Sequence, residues 1–536
     1  VSPGDVLSWL DTPAPARGLR VSTPRGGWHF TSYRDLAALA RRAAGGLRAL
    51  DVPDGAVVGV VAGGGPAFVA AFFGALAAGC TAAPLPAPSR FSDRISYDRQ
   101  LGAALRVARP AAVIATPDAI DRVRPLAPPG CRVADLDALT SGQSSTPHGP
   151  PGAHSLLQFT SGSTGPARAV RISAVALAAN VDAIGRWLGM TAADATATWL
   201  PPHHDMGLIG CLVTPVAHQV DLWQMRPEEF VHRPARYLEC FGRHGATLTA
   251  MPAFGLDYVV RRVGADRLAG LDFSGWRALV VGAERVDPAT LVAFAGHLAP
   301  YGFDARALAP AYGLAEATLA VTGAPPGRPW RTADAGGGAR VVGCGPALGG
   351  ASVSIVDESG RPRRAGAVGE IVVRGPAVAD GYAGDVSGSA TRLTADALRT
   401  GDAGFLLDGH LYVLGRLGDA LKLRGRTLFA EELEATLRAA GVPPRRVAVL
   451  LGHVDGRAHV VALFERAEPD WPARAGPLLG RLTEGARVVL LDAPAGTIAR
   501  TASGKPRRRL LWHDFLAGRL PGTATPAMTA STGGIR

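Results

Sequence analysis

The stretch LLQFTSGSTGPARAVRIS at residues 156–173 decides the fold. Leu156, Leu157 and Phe159 form a short apolar run that gives way at once to Thr160, Ser161, Gly162, Ser163, Thr164 and Gly165. The run reads as a buried strand and the six small residues, four of them hydroxylated, as the tight turn it feeds. Glycine reaches φ values that other residues avoid, so such a loop can aim several backbone N–H groups and hydroxyls at one polyanion. The expectation is a phosphate-binding loop. No Gly-Lys-Ser/Thr closes it, which argues against kinase and P-loop NTPase readings.

Outward from that loop, apolar runs alternate with Ala/Leu-rich segments. Residues 56–61, 81–85 and 111–115 predict strands, and the segment after Gly63–Gly65 through Leu76 predicts a helix. Strands alternating with helices imply a parallel sheet covered on both faces. Further on, 176–188 predicts a helix and 278–281 a strand, while 351–382 shortens into strands and turns that suggest a small antiparallel or barrel-like unit. After the turn-rich residues 400–425 the chain restarts with a helix at 430–440 and strands near Ala448 and Val460. The expected fold class is α/β: a large multi-layer N-terminal domain with mixed and parallel sheets and a small barrel-like subdomain, then a small mobile α+β C-terminal domain. The expected division is 1–417, 418–520 and a flexible tail at 521–536.

A chain of 536 residues exceeds a single compact core, so more than one domain is expected. Its 47% hydrophobic and 19% charged residues describe a globular enzyme, with no apolar run of the roughly 18 residues a membrane span needs. No signal pattern opens the sequence, and five scattered cysteines lack metal-ligand spacing; free thiols in a cytoplasmic setting are expected. The net charge of +11 is spread over arginines that stand mostly singly, apart from Arg507–Arg509, so nucleic-acid binding is not expected. Lys422 and Lys505 are the only lysines. Where nearly every cation is arginine, each retained lysine asks for a chemical reason.

Eight stretches then occur in order: TSGSTG (160–165), HHDMGLIG (203–210), AYGLAEAT (311–318), GEIVVRGPAVADGY (369–382), RTGDAGF (399–405), GRLGD (415–419), LRGR (423–426) and RTASGK (500–505). Together they resemble the adenylate-forming superfamily of acyl-CoA synthetases, adenylation domains and luciferases, over about residues 20–518. WLPPHHDMGLIG at 199–210, MPAFGLDYVVRRV at 251–263, GAERV at 282–286 and VGCGPALGG at 342–350 are in the style of its fatty acyl-AMP ligase branch. No aspartate signature for a substrate amine stands out, so a plain carboxylic acid is the expected substrate.

The resemblance implies two steps: a carboxylate attacks the α-phosphorus of Mg-ATP to give acyl-AMP and pyrophosphate, and a thiol then displaces AMP. It assigns Thr160, Ser161, Gly162, Ser163, Thr164 and Gly165, with Arg168, to the phosphates, and Glu316 to Mg²⁺, a hard cation that prefers carboxylate oxygen. Tyr312 would stack on adenine, within the Ala311–Gly313 and Ala315 segment, with Gly282, Ala283 and Glu284 along the base edge. Asp402 and Arg416 would hold the ribose, and Lys505 would reach the substrate carboxylate and α-phosphate. The acyl and thiol passage would involve His204, Gly207, Phe254, Tyr258, Lys422 and Gly425, with Met206 and Leu256 adding to an apolar pocket. A hydrogen-bonded core role competes for His204, and a structural one for Lys422. The hinge position of the family falls on Gly418, about which the C-terminal domain would swing between adenylation and thiol transfer.

Two departures bear on function. The family's Pro-Lys-Gly after the loop is Ala167-Arg168-Ala169 here, which bears on how pyrophosphate sits. The insertion that fatty acyl-AMP ligases carry before VGCGP, associated with failure to use coenzyme A, is short here at 322–342. Transfer to coenzyme A is therefore the expected outcome. The alternatives are an enzyme that stops at acyl-AMP or loads an acyl-carrier protein, and one that only thioesterifies a supplied adenylate.

Overall fold

The computed structural model describes residues 5–88, 94–141, 155–160, 168–334, 340–384, 390–394, 396–423, 426–501 and 504–526. Two twisted sheets carry the N-terminal part. One has eight strands in the order Ala320–Gly323, Leu308–Gly313, Ala278–Gly282, Leu248–Pro252, Ala195–Thr198, Asp221–Gln224, Gly18–Ser22 and Trp28–Ser32. The other has seven, in the order Gly381–Ala383, Arg168–Ile172, Leu156–Thr160, Thr81–Leu85, Val57–Val61, Ala112–Ala115 and Arg132–Asp135. Their central strands run parallel, with antiparallel strands toward the edges. The expected strands fall within a residue of these bounds.

Helices Tyr33–Ala49, Gly65–Ala77 and Ala174–Trp187 lie between the two sheets, in one apolar core that takes Leu19, Leu222 and Leu248 from the first and Val58, Ala82 and Leu156 from the second. Helix Tyr33–Ala49 buries Leu36, Ala40, Ala43, Ala44 and Leu47, the spacing of one helical face, and Ser32 caps its N-terminus by accepting from the Asp35 N–H. It meets Gly65–Ala77 where Gly74 has no side chain: a Cβ there would lie 2.7 Å from Ala43 Cβ. A second core, with Ala197, Leu279, Val281 and Leu308, covers the outer face of the eight-stranded sheet, and a third, with Val61, Leu85 and Val113, that of the seven-stranded one. The result is five alternating layers of helix and sheet.

Ser352–Val356, Gly369–Arg374, Leu398–Leu407, Arg392–Leu393 and His410–Arg416 form a separate antiparallel sheet, the small unit expected there. From Leu421 onward the chain builds cores of its own, around Leu433, Val449, Phe464 and Trp471 on one face of the sheet Val447–Val454, Arg457–Glu465, Arg487–Ala493, and around Leu450, Leu463 and Leu511 on the other. The expected tail needs one correction: Thr523–Pro526 adds an antiparallel edge strand to Arg487–Ala493, because that strand has a free side to pair. Among the described residues no helix is long and apolar enough to cross a membrane.

Candidate active site

Parallel strands end on one side of a sheet, so side chains at their carboxyl ends gather there. Gly282, Pro252 and Thr198 end neighbouring parallel strands, and Tyr312 lies on the next one. Below them a cavity open to solvent descends into the sheet, lined among others by Met206, Gly282, Ala311, Tyr312, Trp187 and Leu248. Its walls are almost wholly apolar, apart from Asp205 and a few hydroxyls.

At the rim, Tyr312 Oη donates to Asp402 Oδ2 at 2.6 Å, and Arg416 Nε lies 2.7 Å from Asp402 Oδ1. Asp402 and Arg416 face each other across an antiparallel pair, which fixes their approach. Arg416 also donates to Thr391 Oγ1 at 3.1 Å and to the Thr400 carbonyl. Burial raises the Tyr312 phenol well above its ordinary value, with Asp402 adding to the rise, so this hydroxyl stays a donor. Tyr312, expected as a stacking ring, thus also holds the carboxylate expected at the ribose.

Glu316 is buried in a 3₁₀ turn, Ala315–Ala317, where Tyr382 Oη donates to its Oε1 at 2.8 Å. Thr318, with φ +64° and ψ −63°, follows as the centre of a tight turn closed by Leu319 N–H to the Ala317 carbonyl at 2.7 Å. Ala283, at the other rim of the cavity, has φ +68°. Strained backbone at two non-glycine residues flanking one cleft is characteristic of a functional site. Burial and Glu316 raise the Tyr382 phenol above its ordinary value, and the Arg168 guanidinium acts in the opposite sense. No cluster of three metal-ligating side chains occurs among the described residues.

Lys505 stands on a short hairpin where Arg500 pairs with Pro506 and Gly504 takes φ +88°. Burial lowers its ammonium below the ordinary lysine value, as does Arg416, while Asp402, Glu284 and Asp205 act in the opposite sense. The C-terminal part therefore delivers its lysine into the cleft. Arg438 Nη1 bonds Asp287 Oδ2 at 2.7 Å and the Arg445 guanidinium lies 4.9 Å above the Phe254 ring, joining the two parts beside it.

His203 and His204 sit ring against ring at the turn before a π-helix, Met206–Val213. Burial pulls the His204 pKa down to about 4, which leaves the imidazole neutral, and its Nε2 has no partner. Gln158, on the strand Leu156–Thr160, donates to the His203 carbonyl at 3.0 Å, tying that strand to the histidine turn. Gly207 is required by a close approach: a Cβ would lie 2.4 Å from the Pro201 carbonyl oxygen.

Several expected residues take other places. Glu284 Oε1 accepts from the Phe254 N–H at 2.9 Å and so caps helix Ala253–Arg262. Phe254 packs edge-on to Trp199 at the junction with Gly504, and neither it nor Tyr258 lines the cavity. Tyr258 donates to the Val231 carbonyl at 2.6 Å, and Leu256 is core. Lys422 is exposed and ion-paired with Glu358. Gly418 occupies a 3₁₀ turn, Leu417–Asp419, with the Arg509 side chain against it. Ser161, Gly162, Ser163, Thr164, Gly165 and Gly425 lie outside the described residues. Asp205, Gln158 and Tyr382 are the additions that the sequence reading lacked. Each lies inside or beside a quoted motif, but their mutual approach is long-range.

The AMP-binding enzyme family matches residues 11–383. The 4-hydroxyphenylalkanoate adenylyltransferase of Mycobacterium bovis is 32% identical over 519 residues, covering 85% of this chain and 83% of that protein. A putative acyl-CoA synthetase of Caulobacter vibrioides is 32% identical over 527 residues, with 91% and 90% covered. Among solved structures, a fatty acyl-adenylate ligase from work on the E. coli and L. pneumophila enzymes superposes with a TM-score of 0.88 at 28% identity, over 96% of this chain and 98% of that one. With the family matched over most of its length and its layered fold shared, the chain belongs to the adenylate-forming AMP-binding enzymes, a family that uses ATP and Mg²⁺.

Proposed function

We propose that this protein activates a carboxylic acid with a largely apolar body as its acyl-adenylate and passes the acyl group to coenzyme A. One observation carries the reading: the Lys505 ammonium feels the charges of Asp402, Glu284 and Asp205, and Asp205 lines the apolar cavity. The substrate chain occupies the cavity, leaving its carboxylate at the rim. A carboxylate oxygen forms a bond to the α-phosphorus while the bond to pyrophosphate oxygen breaks. The Lys505 ammonium offsets the charge that accumulates in that displacement, a preorganised electrostatic contribution. Asp402, steadied by Arg416 and Tyr312, orients the ribose, and Glu316 would supply a carboxylate oxygen to the Mg²⁺ bound with the nucleotide.

Residues 1–417 and 418–520 act as two domains in this proposal, with Gly418 as the hinge. The thiol step follows a swing of the C-terminal domain that withdraws Lys505. The short segment at 322–342 supports coenzyme A as the acceptor, as does the name of the Caulobacter relative. A carrier protein is the alternative, and the adenylyltransferase name of the mycobacterial relative supports release at the adenylate stage.

Mass spectrometry of products from purified protein, Mg-ATP and a panel of carboxylic acids, with and without coenzyme A, tests the proposal. Acyl-CoA from the free acid is expected. Acyl-AMP alone would overturn the acceptor, and acyl-CoA only from supplied acyl-AMP would overturn the first step and implicate Arg168. Lys505→Ala is expected to lower adenylation by about 10²-fold or more, the scale for loss of one preorganised charge-stabilising group. Its effect on thiol transfer from supplied acyl-AMP is expected to be much smaller; equal losses would remove Lys505 from the first step.

A further inference from the structure

The floor of the cavity holds a polar group with nothing to bind. Thr196, on strand Ala195–Thr198, lines the cavity, is 3% exposed, and its Oγ1 has no hydrogen-bond partner. The neighbouring polar side chains are satisfied. Thr249 Oγ1 bonds Tyr237 Oη at 2.5 Å, Trp187 Nε1 donates to the Ala324 carbonyl at 3.0 Å, and Tyr312 is bonded to Asp402. Buried hydroxyls are ordinarily paired, because an unpaired one loses its water without replacement. Sheet register gives its depth. Thr196 is level with Leu248 and Ala278, and Leu248 lies four residues below Pro252, which is level with Gly282 at the rim. At about 3.3 Å per residue the hydroxyl sits roughly 13 Å beneath the rim.

Resting on the proposed acid activation, we infer that the cavity is built for an acid whose far end carries a hydroxyl or carbonyl oxygen, and that Thr196 is the specificity-determining residue that binds it. A threonine hydroxyl both donates and accepts, so it serves either group. The apolar walls seat the intervening carbons, and the distal oxygen completes the pairing that the protein leaves open. A site built to hydrogen-bond its substrate discriminates against the analogue lacking that group, because its own polar atom is then left unpaired.

Paired acids test this in ATP–pyrophosphate exchange: 10-hydroxydecanoate against undecanoate, and 3-(4-hydroxyphenyl)propanoate against 3-(4-methylphenyl)propanoate. At least one hydroxylated acid is expected to exceed its methyl partner in kcat/KM by about five- to tenfold, the scale of one net hydrogen bond. Thr196→Val is expected to bring that ratio to about one, and Thr196→Ser to keep it. The melting temperature of Thr196→Val is expected to be unchanged or raised, since the lost hydroxyl has no partner in the free protein. Equal use of both members of each pair by the wild type, or loss of the preference in Thr196→Ser, would overturn the inference. Calorimetric binding of the same acids separates it from the parent proposal. Thr196-dependent binding without exchange would remove the adenylation chemistry and keep the recognition, whereas no binding of either pair would remove both.

Discussion

At the scale of single residues, His204 shows what enclosure does to a titrating group. A histidine in water has a pKa of about 6.5, and burial brings this one down to about 4. Between those values the unfolded chain binds a proton that the folded one refuses, so folding stability falls as pH drops from about 6.5 toward 4. Urea midpoints across that window are expected to decline for the wild type, and less steeply for His204→Gln. Identical slopes would mean that other groups carry the acid sensitivity, His203 first among them, since burial and His204 lower it too. The motif HHDMG announced a special histidine pair but not its protonation, which depends on atoms from several strands. Glu284 makes the same point: its GAERV context suggested the base edge, and its carboxylate is spent on the Phe254 N–H.

At the scale of elements, most strands and helices were legible because their apolar residues keep a period of two or 3.6, or run unbroken where both faces are covered. The segment Met206–Val213 was not. It winds as a π-helix, a form associated with functional sites, and no local period distinguishes it from an α-helix. Gly207 allows its first turn to pass against the Pro201 carbonyl. Gly207→Ala is expected to cost about 1–3 kcal/mol, the range for a methyl forced into a packed region, read as a lower urea midpoint. Adenylation should fall with it, since the same turn carries His204 and Asp205. A variant of unchanged stability would show that the segment can shift away from Pro201. Arg508 is a second case: within a basic run that suggests an exposed arm, it is buried, bonding Glu431 at 2.6 Å and Glu434 at 2.8 Å.

For the whole molecule, the two C-terminal cores around Leu433 and Leu450 are built from residues after Ala420, while Phe429 packs with Phe405, Tyr412 and Leu414 before it, and the two parts also meet beside the cleft through Arg438–Asp287 and Arg445–Phe254. Parts that each build cores of their own and meet over a limited junction are expected to move relative to each other. Limited trypsin digestion is expected to cut first within residues 416–426, and ATP with a good acid substrate should slow that cut by holding Lys505 in the cleft. First cleavage elsewhere, or no protection, would count against a hinge at Gly418.

The sequence by itself determined the layered α/β class and the family, because these rest on local periodicity and on short motifs in fixed order. Lysine scarcity marked Lys422 and Lys505 alike, and the family resemblance gave Lys505 its expected role before any geometry was known. Only the tertiary structure decided which side chains share a space: Tyr312 with Asp402, Tyr382 with Glu316, Gln158 with the His203 turn, and Thr196 at the floor of the cavity. The physical reason is that a pairing between strands tens or hundreds of residues apart is fixed by sheet order and register. An unsatisfied hydroxyl is likewise a property of everything packed around it, and a strand reading ATAT gives no sign of which threonine will be left without a partner.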